Sequence, residues 1–136
     1  MSLKEAIHIM LVDDDREDRE LFASAINEFD LGFSLTVVEN GTKALDLLAK
    51  EETSFPDIIF LDLRMPKISG KNVLIQLKQN PRCAGIPIVI LTTSTDNEEA
   101  KQLRDLGATH FCSKPSDPEE LYFVISLALE EALPAD

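Results

Sequence analysis

Apolar positions along this chain follow two alternating rhythms. Three runs, Ile7-His8-Ile9-Met10-Leu11-Val12, Ile58-Ile59-Phe60-Leu61 and Ile86 to Leu91, are almost continuously apolar and rich in β-branched residues, the pattern of strands buried on both faces. Between them, apolar residues step by three and four: Leu21, Phe22, Ala25, Ile26 and Phe29, then Ala44, Leu45, Leu47 and Leu48, then Val73, Leu74 and Leu77. That spacing predicts helices over residues 15–29, after Asn40-Gly41-Thr42, and over Gly70 to Gln79, the last ended by Asn80-Pro81. Phe33 to Val38 and Ala108 to Cys112 read as two further strands. A helix around Glu98 to Leu106 closes at Gly107, and a last helix carries Leu121, Val124, Ile125, Ala128, Leu129 and Ala132. Strict strand-then-helix alternation predicts an α/β fold, a five-stranded parallel sheet with helices on both faces.

Composition narrows the function classes. With 136 residues, 44% of them hydrophobic and 28% charged, the expectation is one globular domain over residues 1–136, without linker, repeat or second domain. The 13 basic and 25 acidic residues give a formal charge of -12, which opposes DNA, RNA and anionic lipid and suits metal cations and basic protein surfaces. Cys83 and Cys112 belong to no CxxC or Cys/His cluster and read as reduced thiols. No apolar run approaches the ~18 residues of a membrane span, and Met1 to Ala6 lacks a signal peptide's apolar core. The cytoplasm is the expected location.

In open parallel sheets, chemistry collects beyond the carboxyl ends of the strands. Those ends carry Asp13, Asp14 and Asp15 on the first strand, Asp62 on the third, Thr92 on the fourth and Lys114 on the fifth. Several carboxylates and one lysine on one rim suit a divalent cation beside a group that binds an anion. Each residue also has a plain structural use. The aspartate trio can cap a helix, Asp62 can sit in a turn, Thr92 can serve a strand, and Lys114 can lie in a solvated loop.

Taken together, Leu11-Val12-Asp13-Asp14-Asp15, Phe60-Leu61-Asp62-Leu63-Arg64-Met65-Pro66 followed by Gly70, Ile90-Leu91-Thr92-Thr93-Ser94 and Ser113-Lys114-Pro115 give a close resemblance to the receiver domains of two-component response regulators. The chain is similar in particular to stand-alone receivers that accompany phytochrome-type kinases. The resemblance runs from Ile7 to about Leu133 and implies a flavodoxin-like fold with strand order 2-1-3-4-5. It implies that Asp62 accepts a phosphoryl group from a sensor histidine kinase, that Asp14 and Asp62 bind Mg²⁺, and that Asp13 binds it partly through water. It further implies that the backbone carbonyl of Arg64 completes the metal oxygens, Thr92 and Lys114 hold the phosphoryl group, and a cis peptide bond precedes Pro115. Phe111 stands at a switch position where the family often has Tyr, Thr93 at one that is often small, and Arg64 and Ser94 at positions that tune phosphoryl lifetime.

On this reading the protein is a phosphoacceptor, not a turnover enzyme, and its output passes through a protein surface to a downstream target. Phe123 and Leu127 fall beside the buried stripe of the last helix and mark a partner surface. The resemblance adds a homodimer through the fourth helix, fifth strand and fifth helix. Two other readings stand beside it: a receiver-fold adaptor that is never phosphorylated, and a haloacid-dehalogenase-type phosphohydrolase. The latter usually needs a second acid where this chain has Arg64.

Overall fold

The computed structural model describes residues 7–29, 32–50 and 55–133; the Met1 to Ala6 segment and the last three residues lie outside it. Its elements are β1 (Ile7–Val12), α1 (Arg16–Asn27), β2 (Phe33–Val38), α2 (Gly41–Ala49), β3 (Ile58–Leu61), α3 (Gly70–Gln79), β4 (Ile88–Thr92), α4 (Asn97–Asp105), β5 (His110–Ser113) and α5 (Pro118–Ala132). Five parallel strands lie in the order β2-β1-β3-β4-β5, as expected.

Side chains of the central strands alternate between two cores. Met10, Val12, Ile59, Leu61, Ile88 and Ile90 pack with α2, α3 and Leu103 of α4. Ile9, Leu11, Ile58, Phe60, Val89 and Leu91 pack with Phe22 and Ile26 of α1 and Leu121, Ile125 and Leu129 of α5. The rings of Phe22 and Phe60 meet edge to face at 5.1 Å, tying α1 to the sheet centre. Each helix begins on a side chain that accepts a hydrogen bond from an otherwise unpaired N–H: Asp15, Asn40, Ser69, Asp96 and Asp117. Among the described residues no helix is long and apolar enough to cross a membrane.

Two strands differ from the sequence reading at both ends, β4 running on to Thr92 and β5 to Ser113. β4 starts at Ile88 rather than Ile86, because the Ile86 N–H turns back to the Cys83 carbonyl and Pro87 has no N–H. β5 starts at His110 rather than Ala108, because the Ala108 N–H serves the C-terminal turn of α4 through the Leu103 carbonyl. That turn is completed by Gly107, whose φ of 112° suits a residue without a side chain.

Candidate functional site

The strand register builds the site. Val12 pairs with Leu61, and the ladder continues one residue further: the Asp13 N–H donates to the Val38 carbonyl at 3.0 Å and the Asp62 N–H to the Val12 carbonyl at 2.9 Å. Asp13 and Asp62 therefore emerge side by side. Thr92 pairs with Ser113, and the Lys114 N–H donates to the Thr92 carbonyl at 2.6 Å, which sets Lys114 beside Thr92 on the same rim. α3 closes the floor. A Cβ on Gly70 would stand 2.3 Å from the Asp62 carbonyl oxygen, so only glycine lets the helix approach that peptide.

The aspartate trio divides its labour. Asp15 is the N-cap of α1, the structural use that the sequence left open. Asp13 is buried; one carboxylate oxygen accepts from the Asp15 N–H at 2.9 Å and the other lies 2.8 Å from Lys114 Nζ. Asp14 is exposed, and Asp13, Asp14 and Asp62 bring one carboxylate oxygen each within 4.8 Å of one another. Lys114 Nζ also lies 2.7 Å from Asp18 and 3.5 Å from Asp62.

Too many carboxylates share this one ammonium. Burial pushes the Asp62 carboxyl up to about 6 against the pull of Lys114; the charges of Asp13 and Asp14 raise it further, and the Arg64 backbone N–H draws it back. Asp13 is raised as well, by burial, although Lys114 and the Asp15 N–H oppose this. Burial alone would lower Lys114, but its bonds to Asp13 and Asp18 and the charges of Asp13 and Asp62 hold it well above its usual range. An all-oxygen donor set with uncompensated negative charge fits a hard divalent cation, which takes one or two carboxylates and keeps waters.

Around this cluster, Thr92 is buried and its Oγ1 accepts from the Ser94 N–H at 3.3 Å, which leaves the hydroxyl proton free to donate. Ser94 Oγ in turn accepts from the Asp96 N–H at the start of α4. The Arg64 side chain is exposed and pairs with Glu99 of α4 at 3.3 Å. Phe111 is half-buried against the core under α2 to α4. Phe123 and Leu127 of α5 are 63% and 44% exposed.

One expectation fails. No cis peptide bond occurs among the described residues, so the Lys114–Pro115 bond is trans. Trans is the intrinsically favoured isomer of X–Pro bonds, and with it the Lys114 N–H still meets Thr92 and Nζ still reaches the acids. Sequence reasoning also passed over Asp18 and Glu99. Each is a first-turn acid of a helix, and nothing local distinguishes such a residue from one that merely complements the helix dipole.

Comparison with known proteins places this geometry. The family model described as the response regulator receiver domain matches residues 9–126. Response regulator Rcp1 of Synechocystis sp. is 29% identical over 121 residues, covering 86% of this chain and 82% of Rcp1. The Mn²⁺-bound form of Rcp1 superimposes with a TM-score of 0.83 at 28% identity, over 95% of this chain and 99% of that one. The phosphorylated cyanobacterial phytochrome response regulator RcpA gives 0.85 at 27% identity, over 96% and 99%.

Proposed function

Because this chain belongs to the response regulator receiver domain family, we propose that it takes a phosphoryl group from a sensor histidine kinase onto Asp62 and passes the signal through a protein surface. The observation that carries this reading is the convergence of Lys114, Asp13 and Asp14 on the buried Asp62 carboxylate. Phosphorylation of RcpA and the metal of Rcp1 support it from outside.

Asp62 is the nucleophile: a carboxylate oxygen forms the new P–O bond while the P–N bond of a phosphohistidine breaks and the imidazole leaves with its electron pair. A carboxylate needs no base for this, so the surrounding residues have only to orient the donor and balance charge. Lys114 meets one equatorial oxygen as a compact point charge. The Thr92 hydroxyl turns its proton toward another. Asp14 and Asp62 would hold Mg²⁺ directly, Asp13 partly through water, with the Arg64 carbonyl as a further ligand. A divalent ion held there would supply charge neutralisation in addition to that of Lys114.

Drawing Thr92 toward the phosphoryl group pulls on Ser94 and the start of α4, and the Arg64–Glu99 pair ties the same helix to the loop after β3. Movement there, with Phe111 repacking at β5, is the switch of this reading. Arg64 and Ser94 set the phosphoryl lifetime through these same contacts. The exposed Phe123 and Leu127 on α5 suit a contact with a second copy or a downstream protein.

The test is labelling with acetyl phosphate and Mg²⁺, followed by intact mass. One base-labile phosphoryl group is expected on the parent protein and none on Asp62→Asn, which keeps the volume and removes the nucleophile. Undiminished labelling of that variant overturns the assignment.

A further inference from the structure

The Lys114 ammonium has one more anionic partner than phosphoryl chemistry needs. Nζ lies 2.8 Å from Asp13, 2.7 Å from Asp18 and 3.5 Å from Asp62. Asp18 sits in the first turn of α1, outside the carboxylate trio that fits a cation, and the cap of that helix is Asp15. The two short contacts hold the ammonium between the end of β1 and the first turn of α1 and leave Asp62 at the longest of the three distances.

An ammonium has three N–H donors in a fixed tetrahedral spread. Two of them are held by Asp13 and Asp18, so the third can reach an anion carried on Asp62 from closer than 3.5 Å only if Nζ shifts and one short contact lengthens. Asp13 is buried and held by the Asp15 N–H. The Asp18 side chain is 37% exposed, against 10% for Lys114, so water can take over its carboxylate at little cost. Asp18 is the partner that yields.

We propose that Asp18 is the resting counter-ion of Lys114, a positioning residue that parks the ammonium off Asp62 and competes with any anion bound there. It thereby sets how tightly that anion is held. The inference rests on the reading of Asp62 as phosphoacceptor.

The test uses beryllium fluoride with Mg²⁺, an anion shaped like a phosphoryl group, titrated by calorimetry while NMR follows the Lys114 Nζ signal. Removing one charge in contact with the ammonium should tighten binding on the order of 5-fold in Asp18→Asn. Asp18→Glu, which restores the charge, should return within about twofold of the parent. Glu17→Gln removes the same charge from an exposed neighbouring position of the same turn; it should change affinity by about twofold or less, because solvent screens it. The Lys114 signal of the fluoride-free protein should move in Asp18→Asn and stay put in Glu17→Gln. If the parent binds fluoride and Asp18→Asn binds no tighter than Glu17→Gln, the competition is overturned and the role of Asp62 stands. If the parent does not bind at all, both readings fall.

Discussion

At the scale of single residues, the site trades stability for chemistry. The Asp62 carboxyl is raised from 3.8 to about 6, so the folded protein holds that proton where the unfolded chain has lost it. Stability from this group is full below pH 4 and is lost as pH rises through 6, by the linkage of proton binding to folding. A shift of that size corresponds to about 3 kcal/mol at most. In chelator, urea unfolding of the parent should therefore give lower stability at pH 7 than at pH 5. Asp62→Asn should flatten that slope and be more stable at pH 7 by about 1–3 kcal/mol, and a slope unchanged by the substitution would exclude Asp62 as its source. Asp13, Asp62 and Thr92 were legible in the sequence because each is the first polar residue after an apolar run, and Lys114 because it directly follows the last strand. Asp18 was not: its partner is 96 positions away, and only the crossing of α1 over the rim brings the two together. The peptide isomer before Pro115 was read wrongly, since a family habit rather than a local steric demand suggested it.

Among the elements, α3 packs directly against the backbone of Asp62, the proposed phosphoacceptor. Its first residue, Gly70, donates its N–H to the Leu63 carbonyl at 2.9 Å and lies against the Asp62–Leu63 backbone. An added methyl there would meet the Asp62 carbonyl oxygen at 2.3 Å and Leu63 Cα at 2.7 Å, atoms that cannot rotate away. Gly70→Ala should cost about 3 kcal/mol by overpacking and slow labelling of Asp62. Gly85→Ala, where the new methyl meets nothing within 4 Å, should stay within about 0.5 kcal/mol. Urea denaturation of the two variants compares them directly, and equal costs would remove the close-approach argument. Element boundaries were legible where periodicity and stop signals agree, as in α3, whose Val73-Leu74-Leu77 stripe is followed by Asn80-Pro81; its Ser69 cap came from the structure. They were less so at β4 and β5, where turn hydrogen bonds from Ile86 and Ala108 claim residues that look like strand by composition. α4 buries only Ala100 and Leu103 among its residues, so its hold on the sheet leans on contacts such as Arg64–Glu99 that no periodicity reveals.

For the molecule as a whole, the sheet is a wall between two cores. Phe111 faces one and Cys112, its neighbour in β5, faces the other. Side chains on α1 and on α3 are separated by a full sheet and its two packing layers, each about 10 Å deep. Sites that far apart contribute to stability independently, to within about 0.5 kcal/mol. Ile26→Val beneath α1 and Leu77→Ala beneath α3 should therefore add in a double-mutant cycle. Phe22→Leu with Phe60→Leu, whose rings touch at 5.1 Å, should deviate by about 1 kcal/mol. Coupling of similar size in both cycles would mean that the strands transmit strain from face to face. Independence of the two sides has an evolutionary reading: substitutions that repack the side under α2, α3 and α4 leave the packing under α1 and α5 untouched, so each face of the wall can drift on its own clock.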